Sequence, residues 1–270
     1  MNRLYEEYIK TDLLPTLFCP GCGNGIVQMA AIRAIDSLGI KEDVACVSGI
    51  GCSSWIPCYL KLDVMHTMHG RAIACAEGLK LARPDKKIMV FTGDGDCLAI
   101  GGNHFIHAAK RNIDLTVIMV NNYIYGMTGG QKSPATPTGS VTKTSPFGAI
   151  DEPMDGCKMA IAMGASYVAR WTTAHPVQLE KAIKEGLTHN GFSFIEVLTQ
   201  CPVQAGKNVY GEKDPMAIMK MYKEKTYIYK EGMEVPEDKT RIGLLKHDKN
   251  AKEYIERIED ALVKMGVRRG

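Results

Sequence analysis

Residues 88–96 read IMVFTGDGD and residues 115–122 read LTVIMVNN. Each opens as an apolar, β-branched run too short for a helix, which marks a strand buried on both faces. Each closes in small polar residues that stop the strand. Between them, 103–111 carries a helical pattern. Strand, helix and strand in that order are the signature of a parallel sheet. The alternation continues outward in both directions. Toward the N-terminus, Ile26, Met29, Ala30, Ile32 and Ile35 form the broad apolar face of a helix expected over 25–38, with Asn24 as its N-cap. A short strand over 44–47 then ends in SGIGC, and a helix over 69–82 is stopped by Pro84. Toward the C-terminus, a helix over 155–163, a strand over 167–169, a helix over 173–187 and a strand over 192–198 complete the series. The expected fold is α/β, a mostly parallel sheet covered by helices on both faces.

Two regions break the rhythm. Residues 121–152 are rich in Gly, Thr, Ser and Pro with little periodicity, and a loop that long in a compact domain is usually functional. After about Gln204 the composition shifts to Lys, Glu and Met, with amphipathic surface helices expected over 215–225 and 250–265.

The bulk properties exclude several classes. A 270-residue chain with 45% hydrophobic and 23% charged residues fits one large α/β domain with trimmings. A net charge of +3, without long Lys/Arg runs or interleaved aromatics, gives no support for nucleic-acid binding. No apolar run approaches the ~20 residues that span a bilayer, so no membrane association is expected. The charged start, MNRLYEEYIKTD, has no hydrophobic leader core, and a cytoplasmic protein is expected. Nine cysteines in that setting read as thiols and metal ligands rather than disulfides.

The first motif is Gly93-Asp94-Gly95 after one strand and Asn121-Asn122 after the next, with Asp94 and Asn122 separated by 28 positions (122 − 94). A lone GDG marks many turns. GDG with a double Asn at this spacing resembles the thiamine-diphosphate motif. That resemblance implies Mg²⁺ held by Asp94, Asn122 and the backbone carbonyl of Ile124. The chemistry agrees, because Mg²⁺ takes hard oxygen ligands shared between carboxylate and phosphate. Gly95 lets the backbone approach a diphosphate closely, and the amides that follow can donate to it. No GxxxxGK[ST] or G-x-G-x-x-G stands where a P-loop or a dinucleotide site requires it.

The second motif is Cys19-Pro-Gly-Cys22-Gly, with isolated Cys52 after SGIG and Cys201 after the strand over 192–198. On the parallel-sheet reading, Cys52, Asp94, Asn122 and Cys201 all follow carboxyl ends of strands, the edge where open α/β sheets bind ligands. A fourfold thiolate cage beside a diphosphate site is therefore reasonable. One CxxC and two single cysteines do not make a zinc ribbon. Spacing alone leaves a [4Fe–4S] cluster and zinc both open, iron–sulfur favoured. Cys46, Cys58, Cys75, Cys97 and Cys157 have no patterned partners and read as small core residues.

Six ordered blocks, CPGCG, SGIGCS, HTMHGRA, TGDGDCLAIGGNH, NNYIYGMTGGQ-SPATP and EVLTQCP, resemble the β subunit of the 2-oxoacid:ferredoxin oxidoreductases from about Leu17 to about Gly206. The resemblance implies one [4Fe–4S] cluster on Cys19, Cys22, Cys52 and Cys201. It also implies thiamine diphosphate contacts at Ile50, Gly51, Cys52, Ser53, His69, Gly95, Asp96, Gly126 and Met127. The residues themselves leave blander readings: the HxxH of His66 and His69 as a metal pair or a cap, Arg71 as an anion ligand or ion-pair partner, Met127 as core filler.

The family's chemistry is oxidative decarboxylation of a 2-oxoacid with coenzyme A to an acyl-CoA and CO₂, electrons leaving through the cluster to ferredoxin. On this resemblance, 1–206 form the thiamine-diphosphate and [4Fe–4S] domain, and 207–270 an extension that docks on a partner. Thiamine enzymes take a glutamate from a pyrimidine-binding domain. This chain is too short for a second such domain, so an α subunit is expected to supply it, with further small subunits open. The NNYIYGMTGGQ and HGRA blocks favour 2-oxoglutarate over branched-chain acids such as 2-oxoisovalerate, with pyruvate further behind. Where several relatives carry a basic residue, this chain has Trp55 and Gly129. Trp55 could pack on a branched substrate or merely wall the cluster pocket, and the partner could supply the cation that a distal carboxylate needs.

Overall fold

The computed structural model describes residues 3–230, 232–234 and 236–267. The outer ends of the two expected segments, residues 1–2 and 268–270, lie outside them. Eight strands form one sheet in the order β2-β1-β3-β4-β8-β7-β10-β9. They are β1 (Val44–Ser48), β2 (Asp63–His66), β3 (Lys87–Gly93), β4 (Thr116–Asn121), β7 (Tyr167–Thr172), β8 (Ser193–Leu198), β9 (Thr226–Ile228) and β10 (Thr240–His247). The strands from β2 to β7 run parallel, and β10 joins β7 antiparallel. A small hairpin, β5 (Ile124–Tyr125) with β6 (Gln131–Lys132), lies within the long loop.

Strand periodicity of two sorts the core into two layers. Cys46, Met89, Phe91, Ile118, Val120, Ile195 and Val197 point to one face, against α1 (Arg3–Tyr8), α2 (Asn24–Leu38) and α7 (Pro176–Thr188). Val47, Val90, Val117, Met119 and Phe194 point to the other, against α4 (Ala72–Ala82), α5 (Gly102–Arg111) and α6 (Gly156–Met163). Both faces are covered, which is why the central strands are apolar without alternation.

The expected α/β fold is the observed one, with local corrections. Asn24 is not the N-cap of α2; Gly23 holds that position, and Asn24 is the first helical residue. The helix expected from 69 begins at Ala72, because Gly70 takes a left-handed φ of 70° in a turn against Ile100 and Gly101. A short helix, α3 (Trp55–Cys58), follows Cys52. Beyond residue 206 the chain forms α8 (Pro215–Lys225) and α9 (Tyr254–Lys264), near the expected spans. It also contributes β9 and β10, which extend the sheet and which sequence pattern did not indicate. Among the described residues no helix is long and apolar enough to cross a membrane.

Candidate functional site

Strand order reverses at β1 and β3: from β1 the chain moves outward to β2, and from β3 the other way to β4. The carboxyl ends of such a pair diverge and leave a crevice. The turn after β1 brings Ile50, Gly51, Cys52 and Ser53 to this crevice, and the turn after β3 brings Asp94, Gly95 and Asp96. His69 comes from the approach to α4, and Asn122, Ile124, Gly126 and Met127 from the turn after β4. All twelve line one pocket of about 80 Å³.

Asp94 is buried, and that desolvation pushes its carboxyl up to about 7. Its Oδ2 accepts a 2.5 Å hydrogen bond from the Ser133 hydroxyl. A carboxyl so placed is either held neutral or compensated by a cation. Asn122 turns back on itself, its Oδ1 accepting from the Ile124 amide at 3.2 Å. The adjacent Asn121 is a scaffold residue: its amide nitrogen donates to Glu196 and its oxygen accepts from the Tyr123 amide. Gly95 is a glycine because a side chain there would strike the Tyr125 ring.

Asp96 is a hub. Its carboxylate accepts from Thr92 Oγ1 (2.6 Å), the Gly70 amide (2.7 Å) and the Ile50 amide (3.3 Å), and meets His69 Nδ1 at 2.5 Å. It ties three loops into one wall, and a side chain on Gly49 would collide with it. His66 instead meets Ser48 Oγ at 3.0 Å, so the two histidines hold different partners and do not form a metal pair. Arg71 donates to the Ile100 carbonyl at 3.4 Å.

Cys19, Cys22, Cys52 and Cys201 line a second cavity of about 220 Å³, together with Leu17, Phe18, Trp55 and Gln204. Burial pushes the Cys22 thiol up to about 12, that of Cys52 up to about 11, and that of Cys201 in the same direction. Thiols so placed stay protonated unless a metal compensates the thiolates. Cys46, Cys97 and Cys157 are buried in the core. Trp55 walls this cavity and does not line the first.

The two cavities share Cys52, Asn122, Gly126 and Met127. A Cβ placed on Gly126 would stand 3.4 Å from Asn122 Nδ2, 3.6 Å from Cys52 Sγ and 3.8 Å from Cys201 Sγ. Sequence reasoning missed Asn24, whose Nδ2 is buried without a partner and whose side chain lines the first pocket. A buried donor without a protein acceptor, at a pocket wall, is a candidate ligand contact. It also missed Ser133, Thr128 and Tyr125. All three sit in the block NNYIYGMTGGQ-SPATP already singled out, and Tyr125 and Thr128 could have been read there, whereas the partner of Ser133, Asp94, lies 39 residues away.

Residues 43–197 match the thiamine pyrophosphate enzyme, C-terminal TPP-binding domain family, so fold and site define a thiamine-diphosphate-binding domain. The chain is 59% identical over 219 residues to the 2-oxoglutarate synthase subunit KorB of Methanocaldococcus jannaschii, covering 81% of each. Against the subunit of the same name from Archaeoglobus fulgidus it is 47% identical, covering 100% of this chain and 98% of the relative. Among solved structures, a 2-oxoglutarate:ferredoxin oxidoreductase from Magnetococcus marinus, with 2-oxoglutarate, coenzyme A and succinyl-CoA bound, superposes with a TM-score of 0.88 at 31% identity, over 98% of this chain and 91% of that one. The chain belongs to the β subunits of the 2-oxoacid:ferredoxin oxidoreductase family.

Proposed function

We propose that this chain holds thiamine diphosphate, Mg²⁺ and a [4Fe–4S] cluster. With an α subunit it would convert 2-oxoglutarate and coenzyme A to succinyl-CoA and CO₂, passing electrons to ferredoxin. The observation that carries this reading is the shared wall: a four-thiol cavity and a diphosphate-type pocket have Cys52, Asn122, Gly126 and Met127 in common, and Gly126 brings no side chain to that wall. Asp94, Asn122 and the Ile124 carbonyl are the oxygen donors for Mg²⁺. Ile50, Gly51, Ser53, His69, Gly95, Asp96, Gly126 and Met127 line the cofactor's place, with Asn24 as a further donor. Thiamine diphosphate supplies the electron sink for decarboxylation. The chain's own contribution is to fix the loops through Asp96, to present Ile50 and Met127 at the pocket mouth, and to set the four thiolates beside the reacting centre.

Thiol geometry favours a cluster over zinc. Among the described residues no three of the four sulfurs lie within 4.8 Å of one another. A single zinc with Zn–S bonds of 2.3 Å needs sulfurs about 3.8 Å apart. A polynuclear cluster fits a wider cage.

An α subunit is part of the reading because the pocket mouth is apolar and exposed. Ile50 and Met127 line it, while Met68 and Ile100 flank the Gly70 turn, and all four are solvent-exposed. The segment after 206, with α8 and α9, is a further docking candidate. The purified chain alone is expected to bind thiamine diphosphate yet not oxidise any 2-oxoacid, activity appearing on addition of the α subunit. Full turnover by the isolated chain, followed with a viologen acceptor, would overturn this.

The structure also bears on the substrate. Trp55 faces the thiol cavity, so it offers no reason to favour a branched side chain. At Gly129, one residue past the pocket-lining Thr128, a Cβ would stand 2.7 Å from Lys143 Nζ. Among the described residues no carboxylate engages that ammonium. Lys143 lines neither cavity, but as a cation beside the residue that follows Thr128 it is this chain's candidate partner for a distal substrate carboxylate. Lys143→Ala is expected to lower kcat/KM of the reconstituted complex for 2-oxoglutarate about tenfold, roughly 1.4 kcal/mol, while leaving that for 2-oxoisovalerate within about twofold. Equal losses on both substrates, or a wild-type preference for 2-oxoisovalerate, would reverse the assignment.

A further inference from the structure

We propose that Glu196 is a positioning residue for the metal-binding turn, acting through Asn121; this rests on the assignment of Asn122 and Ile124 to Mg²⁺. Glu196 lies in the middle of β8 and is almost fully buried. Its cross-strand neighbour on β7 is Arg170, and Met119 of β4 stands opposite it, two residues before Asn121. A charge in the centre of a sheet is costly, and an apolar pair of similar volume would serve stability at least as well. The pair is therefore better explained by the geometry it imposes.

That geometry is specific. Glu196 Oε2 takes Arg170 Nε at 2.6 Å and the Cys157 thiol at 3.3 Å. Arg170 Nη2 continues to Asp155 Oδ1 at 2.5 Å. Asp155, Cys157 and Glu196 are close enough to suggest a metal site, but the guanidinium already bridges the two carboxylates. Oε1 of Glu196 is left to accept from Asn121 Nδ2 at 2.7 Å. An acceptor at that place forces the amide nitrogen toward Glu196 and the amide oxygen toward the Tyr123 N–H, which it meets at 3.0 Å. Reversing the amide would set oxygen against oxygen and nitrogen against N–H. Tyr123 sits at a φ of 67°, a conformation that residues with a Cβ seldom adopt without support. The turn so held carries Asn122 and Ile124 to the pocket wall.

The test is a double-mutant cycle on the full chain, purified with its partner. The readout is the Mg²⁺-dependent dissociation constant for thiamine diphosphate by equilibrium dialysis. Glu196→Gln and Asn121→Ala are each expected to raise it about tenfold, and the double variant by no more than the larger single effect, because both act on one element. Amide exchange over residues 120–126 of the cofactor-free protein should speed up in both single variants, a change that mere loss of global stability would spread over the whole sheet. If Glu196→Gln does not fold, the triple variant Glu196→Met/Arg170→Met/Asp155→Asn removes all three charges of the bridge together and is expected to show the same rise. Unchanged affinity in the Glu196 variants, or effects that multiply, would overturn the proposal while Asp94→Ala still abolished binding. Wild-type binding that ignores Mg²⁺ would overturn the metal assignment and this inference with it.

Discussion

Asp94→Ala is expected to strip the chain of thiamine diphosphate, raising its Mg²⁺-dependent dissociation constant by at least about a hundredfold and abolishing turnover. Asp94 is the single anionic side chain among the three proposed Mg²⁺ donors. Without it the diphosphate loses its metal bridge, and Ser133 loses its short bond to the carboxylate and keeps only the longer contact to Thr136 Oγ1. Misfolding is separable from this loss by the sign of the pH effect. Burial raises the Asp94 carboxyl to about 7, so the folded, cofactor-free chain prefers it protonated. A raised carboxyl contributes its stability at low pH and loses it as pH climbs from the unfolded value near 4 toward 7. Cofactor-free Asp94→Asn is therefore expected to melt no lower than wild type at pH 8, with the difference closing toward pH 4. Retained cofactor in Asp94→Ala after dialysis against a chelator would refute the metal assignment, and a collapsed melting curve at pH 8 would refute the electrostatic account.

Cys201→Ala carries the second large effect. Three thiolates cannot satisfy a four-iron cage, so iron content and electron transfer to a viologen are both expected to fall to near background. Thiamine diphosphate binding should survive, because Cys201 lines the thiol cavity and not the first pocket. Cys46→Ala is the control, since Cys46 is a buried core residue that lines neither cavity. Wild-type iron in Cys201→Ala, or stoichiometric zinc in the native protein, would sink the cluster.

How much of this was readable depends on where each residue's partners lie. The central strands β3 and β4 announce themselves because both their faces are buried, and burial on both faces writes itself into composition. β2 was invisible for the opposite reason: three of its four residues are exposed at the sheet edge, so no pattern forms. β10 was obscured by Gly243, at a φ of 116°, and by the irregular register between Leu244 and Lys246. Motif residues that touch neighbours in the same turn, such as Asn122 and Ile124, could be placed from spacing. Ser133 reaches Asp94 across 39 residues, and Glu196 reaches Asn121 across 75, so only the folded chain reveals them. Asp96 was placed at the pocket, but its work as a joint between three loops needed coordinates.

The wall that the two cavities share has a thermodynamic corollary. Two occupants held by the same residues can alter each other's affinity, and any such coupling is reciprocal. Whatever factor an assembled cluster contributes to retention of thiamine diphosphate, the bound coenzyme must return to retention of the metal. If both groups are bound as proposed, any such coupling runs through Cys52, Asn122, Gly126 and Met127, and Cys201→Ala, which keeps the coenzyme pocket, would measure its size and sign.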